Sequence, residues 1–210
     1  MIWFFSNRKV TLQLYEQNLE LAVKNKTLSL LGNLYHTSTQ TLTPEEMAKA
    51  ITDVVQKDLN LEFAAIYRLD KNKNLLSILS FSGSERFFRT IYDLNLSIDN
   101  LVIKDVSKND ISAGLFSDSS DSFIINDIGS IWKNSISEEN VLGIKNKSHI
   151  KTVLVNVLLV GKKVLGVLFL GFNRDYQALS KFEKESIKNI TDPVALLLYK
   201  AYLYRDIKRA

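Results

Sequence analysis

The sequence predicts an α/β protein of the α+β type: a central antiparallel β-sheet with helices packed on it and long helices at both ends. Three observations lead there. Residues 63–69 (FAAIYRL) with 75–81 (LLSILSF), and 152–160 (TVLVNVLLV) with 164–172 (VLGVLFLGF), each set two apolar, β-branched runs around a short turn-forming segment, which is the pattern of a hairpin. A capped helix precedes the first hairpin, and a long helix with apolar residues three and four apart follows the second. With 210 residues, 46% hydrophobic and 24% charged, the chain has material for one sizeable core and the composition of neither a disordered nor a membrane-embedded protein.

Residues 9–38 contain no proline and one glycine, Gly32, which predicts a helix of about 30 residues. Leu14, Leu21, Leu28 and Tyr35 recur every seven residues, alternating with Thr11, Asn18, Asn25 and Gly32. Apolar residues at one seam position and asparagine at the other describe a parallel two-stranded coiled coil whose asparagines fix the register. The competing reading is an amphipathic helix lying on its own domain. Thr43-Pro44-Glu45-Glu46 supplies a helix cap, a proline at the first helical position and an acidic first turn for a second helix through Met47, Ile51, Val54, Val55 and Leu59.

After the first hairpin the pattern loosens. Residues 103–111 suit helix or strand, residues 113–122 are rich in Ser and Asp and read as a loop, and residues 123–126 (FIIN) read as a short strand. Residues 127–150 have no clear period, as expected of a pocket wall or lid. Both strands of the second hairpin are almost wholly apolar, which predicts central strands covered on both faces. Ser180 and Glu183 form a capping box for the closing helix, whose Ile187, Ile190, Val194, Leu197, Ala201 and Tyr204 make a second coiled-coil-like seam, with Pro193 predicting a kink near 189–193. The expected organisation is a signalling or membrane-proximal helix at 1–38, a core at 39–178, and a closing helix at 179–210 that continues as a signalling helix.

Composition narrows the chemistry. There is no cysteine, so disulfides, thiolate nucleophiles, Cys-held metals and thioether-linked chromophores are excluded within these residues, and the two histidines, His36 and His149, are too few for a multi-histidine metal site. The net charge of +4 is dispersed and gives no nucleic-acid footprint. The opening MIWFF, followed by Arg8 and Lys9, reads either as the exit of a membrane anchor lying upstream or as a plain helix start. The expected location is cytoplasmic, with or without such a tether. The segment 161–166 (GKKVLG) has phosphate-loop glycine spacing, but Val167 and Leu168 stand where Lys and Ser/Thr are required, so it reads as hairpin.

The order helix, hairpin, irregular segment, hairpin, helix resembles a GAF domain. Residues 152–172 resemble that family's central hairpin, residues 179–183 with 195–204 resemble its closing helix, and residues 123–128 (FIINDI) resemble the strand before its pocket helix. The resemblance spans about residues 28–204, with Val157 in place of a frequent proline and Lys162 in place of a common turn glycine. It implies a regulatory or sensory module that dimerises through its flanking helices, controls an output domain such as a histidine kinase or nucleotide cyclase, and takes a small ligand between the sheet and residues 84–151. Bilin-binding members and the methionine-sulfoxide reductases of this fold use a cysteine that is missing here. No cofactor is named by the sequence.

The ligand-binding candidates are Asp127 as a polar anchor, Trp132 as an aromatic wall, Lys147, His149 and Lys151 as a cationic greeting for an anion, and Asn156 as a polar group within the central strand. Each has a plainer reading: Asp127 as a helix cap, Trp132 as core, the lysines as a solvated loop. No carboxylate pair, Ser-His-Asp set or metal spacing emerges, so the expectation is a non-enzymatic module. A purely structural dimerisation module with a filled pocket, and an enzyme using the Asp127, Trp132 and His149 region, are the alternatives.

Overall fold

The computed structural model describes residues 2–38, 43–70, 72–106 and 122–209. Helix α1 (Ile2–Ser38) starts earlier than its spacing predicts and spans about 55 Å at 1.5 Å per residue. Helix α2 (Pro44–Asp58) begins with the expected capping box: the Glu46 amide donates to Thr43 Oγ1 at 3.2 Å, and the Thr43 amide donates to Glu46 Oε2 at 2.8 Å.

The strands are β1 (Phe63–Asp70), β2 (Leu75–Gly83), β3 (Ile103–Lys104), β4 (Phe123–Ile125), β5 (Thr152–Val160) and β6 (Lys163–Phe172). They form one six-stranded sheet in the order β3-β2-β1-β6-β5-β4, every pairing antiparallel. Both predicted hairpins are present. The second turns at Gly161, whose φ of +61° suits glycine, so the turn role falls one residue before Lys162. Gly166 lies inside β6, where a Cβ would come within 2.3 Å of the Tyr67 carbonyl oxygen; its absence lets β1 and β6 approach.

Of the ambiguous stretch 103–111, residues 103–104 are strand, and from 107 onward it lies outside the described residues, as does the Ser/Asp-rich segment up to 121. The stretch between the hairpins, read as less regular, carries three short helices among its described residues: α3 (Glu85–Asp93), α4 (Gly129–Trp132) and α5 (Glu138–Lys147). Ser84 caps α3 by accepting from the Phe87 amide, and Ser137 caps α5 by accepting from the Asn140 amide. The closing helix α6 (Lys181–Arg209) runs unbroken through Pro193 and carries its predicted capping box, with the Ser180 amide donating to Glu183 Oε2 at 2.8 Å.

Each face of the sheet has its own core. On one face α1, α2 and α6 bury Leu30, Leu34, Ile51, Val55, Ile190 and Leu198 against Ala64, Ile66, Leu154, Leu158 and Leu168. On the other, α3, α4 and α5 cover Phe63, Ala65, Tyr67, Val155, Val167 and Phe169. Strand alternation sorts the side chains: odd-numbered residues from 63 to 67 and from 153 to 157 take the second face.

This arrangement corrects one expectation. Ile187, Ile190, Val194, Leu197 and Ala201 are buried within the chain, so the closing-helix seam is not available to a second copy; Tyr204 alone of that set is exposed. A three-four alternation satisfies helix-on-sheet packing as well as a coiled coil, and here the sheet takes it.

Candidate functional site

The face covered by α3, α4 and α5 is where the sequence places a ligand pocket, and aromatic side chains occupy it. Phe63 stacks on Phe81 with ring centroids 5.2 Å apart, Phe81 stacks on Phe87 at 5.2 Å, and Phe63 lies 6.1 Å from the Trp132 ring. Tyr67 meets Phe169 edge-on at 4.9 Å. Trp132, Phe63, Tyr67, Phe87 and Phe169 are each no more than 1% exposed. Such offset and edge-on pairs contribute about 0.5–1.5 kcal/mol each beyond their area burial, which favours a closed packing.

One polar chain crosses this core. The indole Nε1 of Trp132 donates to the Tyr67 hydroxyl at 3.2 Å, and that hydroxyl donates to the Leu101 carbonyl at 2.8 Å. Burial pushes the Tyr67 phenol well above its ordinary range, outweighing the opposing effect of the Trp132 hydrogen bond, so it remains a neutral donor. Tyr67 thereby ties β1 to the segment before β3 and to α4. The sequence offered one signal for it: Tyr67 shares strand parity with Phe63 and Ala65.

The six ligand candidates do not converge. Asp127 is exposed just before α4, its Oδ1 accepting from the Gly129 amide at 3.1 Å in a local turn and facing Lys145 Nζ at 3.3 Å. Trp132 is core. Lys147 is exposed in the last turn of α5, where a cation complements the helix dipole. His149 is exposed and follows the helix end with a φ of +57°. Lys151 faces Asp175 at 3.8 Å across exposed surface, a pairing of at most about 1 kcal/mol. Asn156 lies on the opposite face from Trp132: its strand parity groups it with Leu154 and Leu158, beneath α6. Tertiary packing separates Asn156 from Trp132, because the two faces of a strand covered on both sides serve different cores.

Among the described residues there is no group of three His, Asp or Glu side chains able to hold a metal ion, and no helix long and apolar enough to cross a membrane. The dimer candidates of α1 remain at the surface: Leu14, Leu21, Leu28 and Tyr35 are all more than half exposed, with Asn18 and Asn25 exposed between them. The same helix docks onto its own domain through Leu30 and Leu34 instead.

The architecture matches known structures. The phycoerythrobilin-bound GAF domain from a cyanobacterial phytochrome superposes with a TM-score of 0.60 at 17% identity, covering 84% of this chain and 96% of that one. The A. aeolicus nlh2 GAF domain in an inactive state gives 0.58 at 16% identity, covering 84% and 98%. The GAF domain of a phosphoenolpyruvate-protein phosphotransferase from Coxiella burnetii gives 0.59 at 11% identity, covering 85% and 95%. No protein-family model and no curated protein matches the sequence. The chain has the GAF fold.

Proposed function

We propose that the chain is a non-enzymatic regulatory GAF module that pairs in parallel with a second copy through α1 and passes its state through α1 and α6 to an output domain of a larger signalling protein. The exposed heptad stripe of Leu14, Leu21 and Leu28 carries this reading. Parallel pairing lets Asn18 and Asn25 each face a symmetry mate, which fixes register at some cost in stability. The aromatic packing around Trp132 supports a module whose expected pocket is filled by its own side chains. No cysteine exists among the 210 residues to hold a bilin through a thioether.

The test is light scattering on the full chain at about 100 μM, well above a micromolar dissociation constant. A dimer mass that falls to monomer in the Leu14→Glu/Leu21→Glu/Leu28→Glu variant, with circular dichroism retained, is expected. A monomer mass for the parent chain removes the pairing. Native mass spectrometry showing a molecule of several hundred daltons retained in the Trp132 core replaces the filled-pocket reading with a ligand sensor.

A further inference from the structure

Strand β5 carries one polar side chain amid its apolar run between Val153 and Val160: Asn156, fully buried. Its Oδ1 accepts from Ser122 Oγ at 2.6 Å and lies 3.5 Å from Thr191 Oγ1, whose single proton is shared with the Ile187 carbonyl at 3.2 Å, while its Nδ2 has no hydrogen-bond partner. An unpaired buried amide donor is costly, so its retention in a central strand calls for an explanation. Ser122 and Thr191, the two hydroxyls that hold Asn156, both line a cavity of about 440 Å³ between β5 and the first turns of α6. That volume lies within the usual range for small-molecule sites, and the cavity is on the face of the sheet that α6 covers, opposite the aromatic core.

The walls combine two chemistries. Leu154, Ile187 and the ring of Tyr176 are apolar or aromatic, and the rim carries Lys181, Lys184 and Lys188 against Glu185 and Asp192. Lys181 and Glu185 pair with each other at 3.9 Å. Lys184 Nζ sits 4.3 Å from the centre of the Tyr176 ring, and Lys188 makes no ion pair of 4.0 Å or less among the described residues. With Lys181 and Glu185 paired, Lys184 and Lys188 outnumber Asp192 among the remaining charged residues of the lining. We propose that this cavity binds a small organic anion, its acidic group drawn to Lys184, Lys188 and the Thr191 end of the cavity and its apolar body resting on Leu154, Ile187 and Tyr176.

The probe is benzoate, an aromatic carboxylate, titrated into the isotopically labelled full chain and followed by amide NMR shifts, with benzamide as its neutral counterpart and inorganic phosphate as an anion without an apolar body. Saturable shifts at the Asn156 side-chain amide and at the Lys188 and Thr191 backbone, with benzoate at least tenfold tighter than benzamide and tighter than phosphate, are expected. Lys184→Ala/Lys188→Ala, at rim positions outside the core, should weaken benzoate at least fivefold, and Lys147→Ala/Lys151→Ala should not. Shifts that fail to saturate by about 50 mM, that map elsewhere, or that are unchanged in the Lys184/Lys188 variant overturn the site; equal binding of benzamide overturns its anion preference. Dimerisation through α1 is read separately by mass and survives or falls on its own.

Discussion

Replacing Trp132 measures whether the face beneath α4 is packed core or a pocket wall. The ring is 1% exposed and contacts the cluster around Phe63, so Trp132→Ala leaves a large hole in close-packed surroundings. Such truncations cost about 3–5 kcal/mol. The lost indole donor adds less, because the Tyr67 hydroxyl keeps its bond to the Leu101 carbonyl. Trp132→Phe retains most of the volume and removes the donor, which sets its cost at about 1–2 kcal/mol. Tyr67→Phe is the harsher polar change: it strands both the Trp132 N–H and the Leu101 carbonyl, at about 1–3 kcal/mol for each buried group left unpaired. The double variant Tyr67→Phe/Trp132→Phe should cost less than the sum of the singles by about 0.5–1.5 kcal/mol, since the indole donor stranded by the first change is removed by the second. Urea unfolding followed by far-UV circular dichroism avoids relying on fluorescence from the residue being removed. A Trp132→Ala cost under about 1.5 kcal/mol, with no coupling to Tyr67, would refute the packed-core reasoning and describe a ring lining open space.

Gly166→Ala should destabilise by about 1–3 kcal/mol or more, because its Cβ meets the Tyr67 carbonyl oxygen, whereas Gly32→Ala, with open space around it, should stabilise by up to about 1 kcal/mol; thermal midpoints decide both. Glu183 is partly buried, which raises its pKa, but the Ser180 amide and hydroxyl and the Arg174 guanidinium outweigh that and hold its carboxyl below the ordinary value of 4.5. Its contribution is therefore present above that value and lost as pH falls through the lower folded one, so the stability gap between the parent and Glu183→Gln should shrink on acidification from about pH 6 to pH 3; a constant gap contradicts the capping role. In a paired module, spin labels at Lys9 and Arg209 should report interlabel distances that shift when a cavity ligand binds, and superimposable distributions would rule out helix rearrangement as the output.

The elements whose signals are local could be read from the sequence. Thr43 and Glu46, and Ser180 and Glu183, satisfy each other across three residues, so their pairing needs no tertiary partner. The two hairpins announce themselves by apolar runs around a turn, and their order with the flanking helices was enough to match the GAF fold. Helices α3 and α5 also had local signals, Ser84 before Glu85 with Phe87 and Ile91 four residues apart, and Ser137 before Glu138-Glu139, the latter helix burying only Ile144.

What the tertiary structure decided were the questions of which face and which partner. The alternation from Ile187 to Ala201 is the same for a helix on a sheet and for a helix on its twin, and only the position of β5 beneath α6 assigns it to the sheet. Asn156 and Trp132 both looked like pocket residues, yet strand parity sends Asn156 toward α6 while the fold places α4 on the other side. With both faces of β5 apolar apart from Asn156, the strand's apolar residues do not say which helices cover which face. The distinction comes from the helices that cover each face, whose placement depends on contacts between residues far apart in the chain.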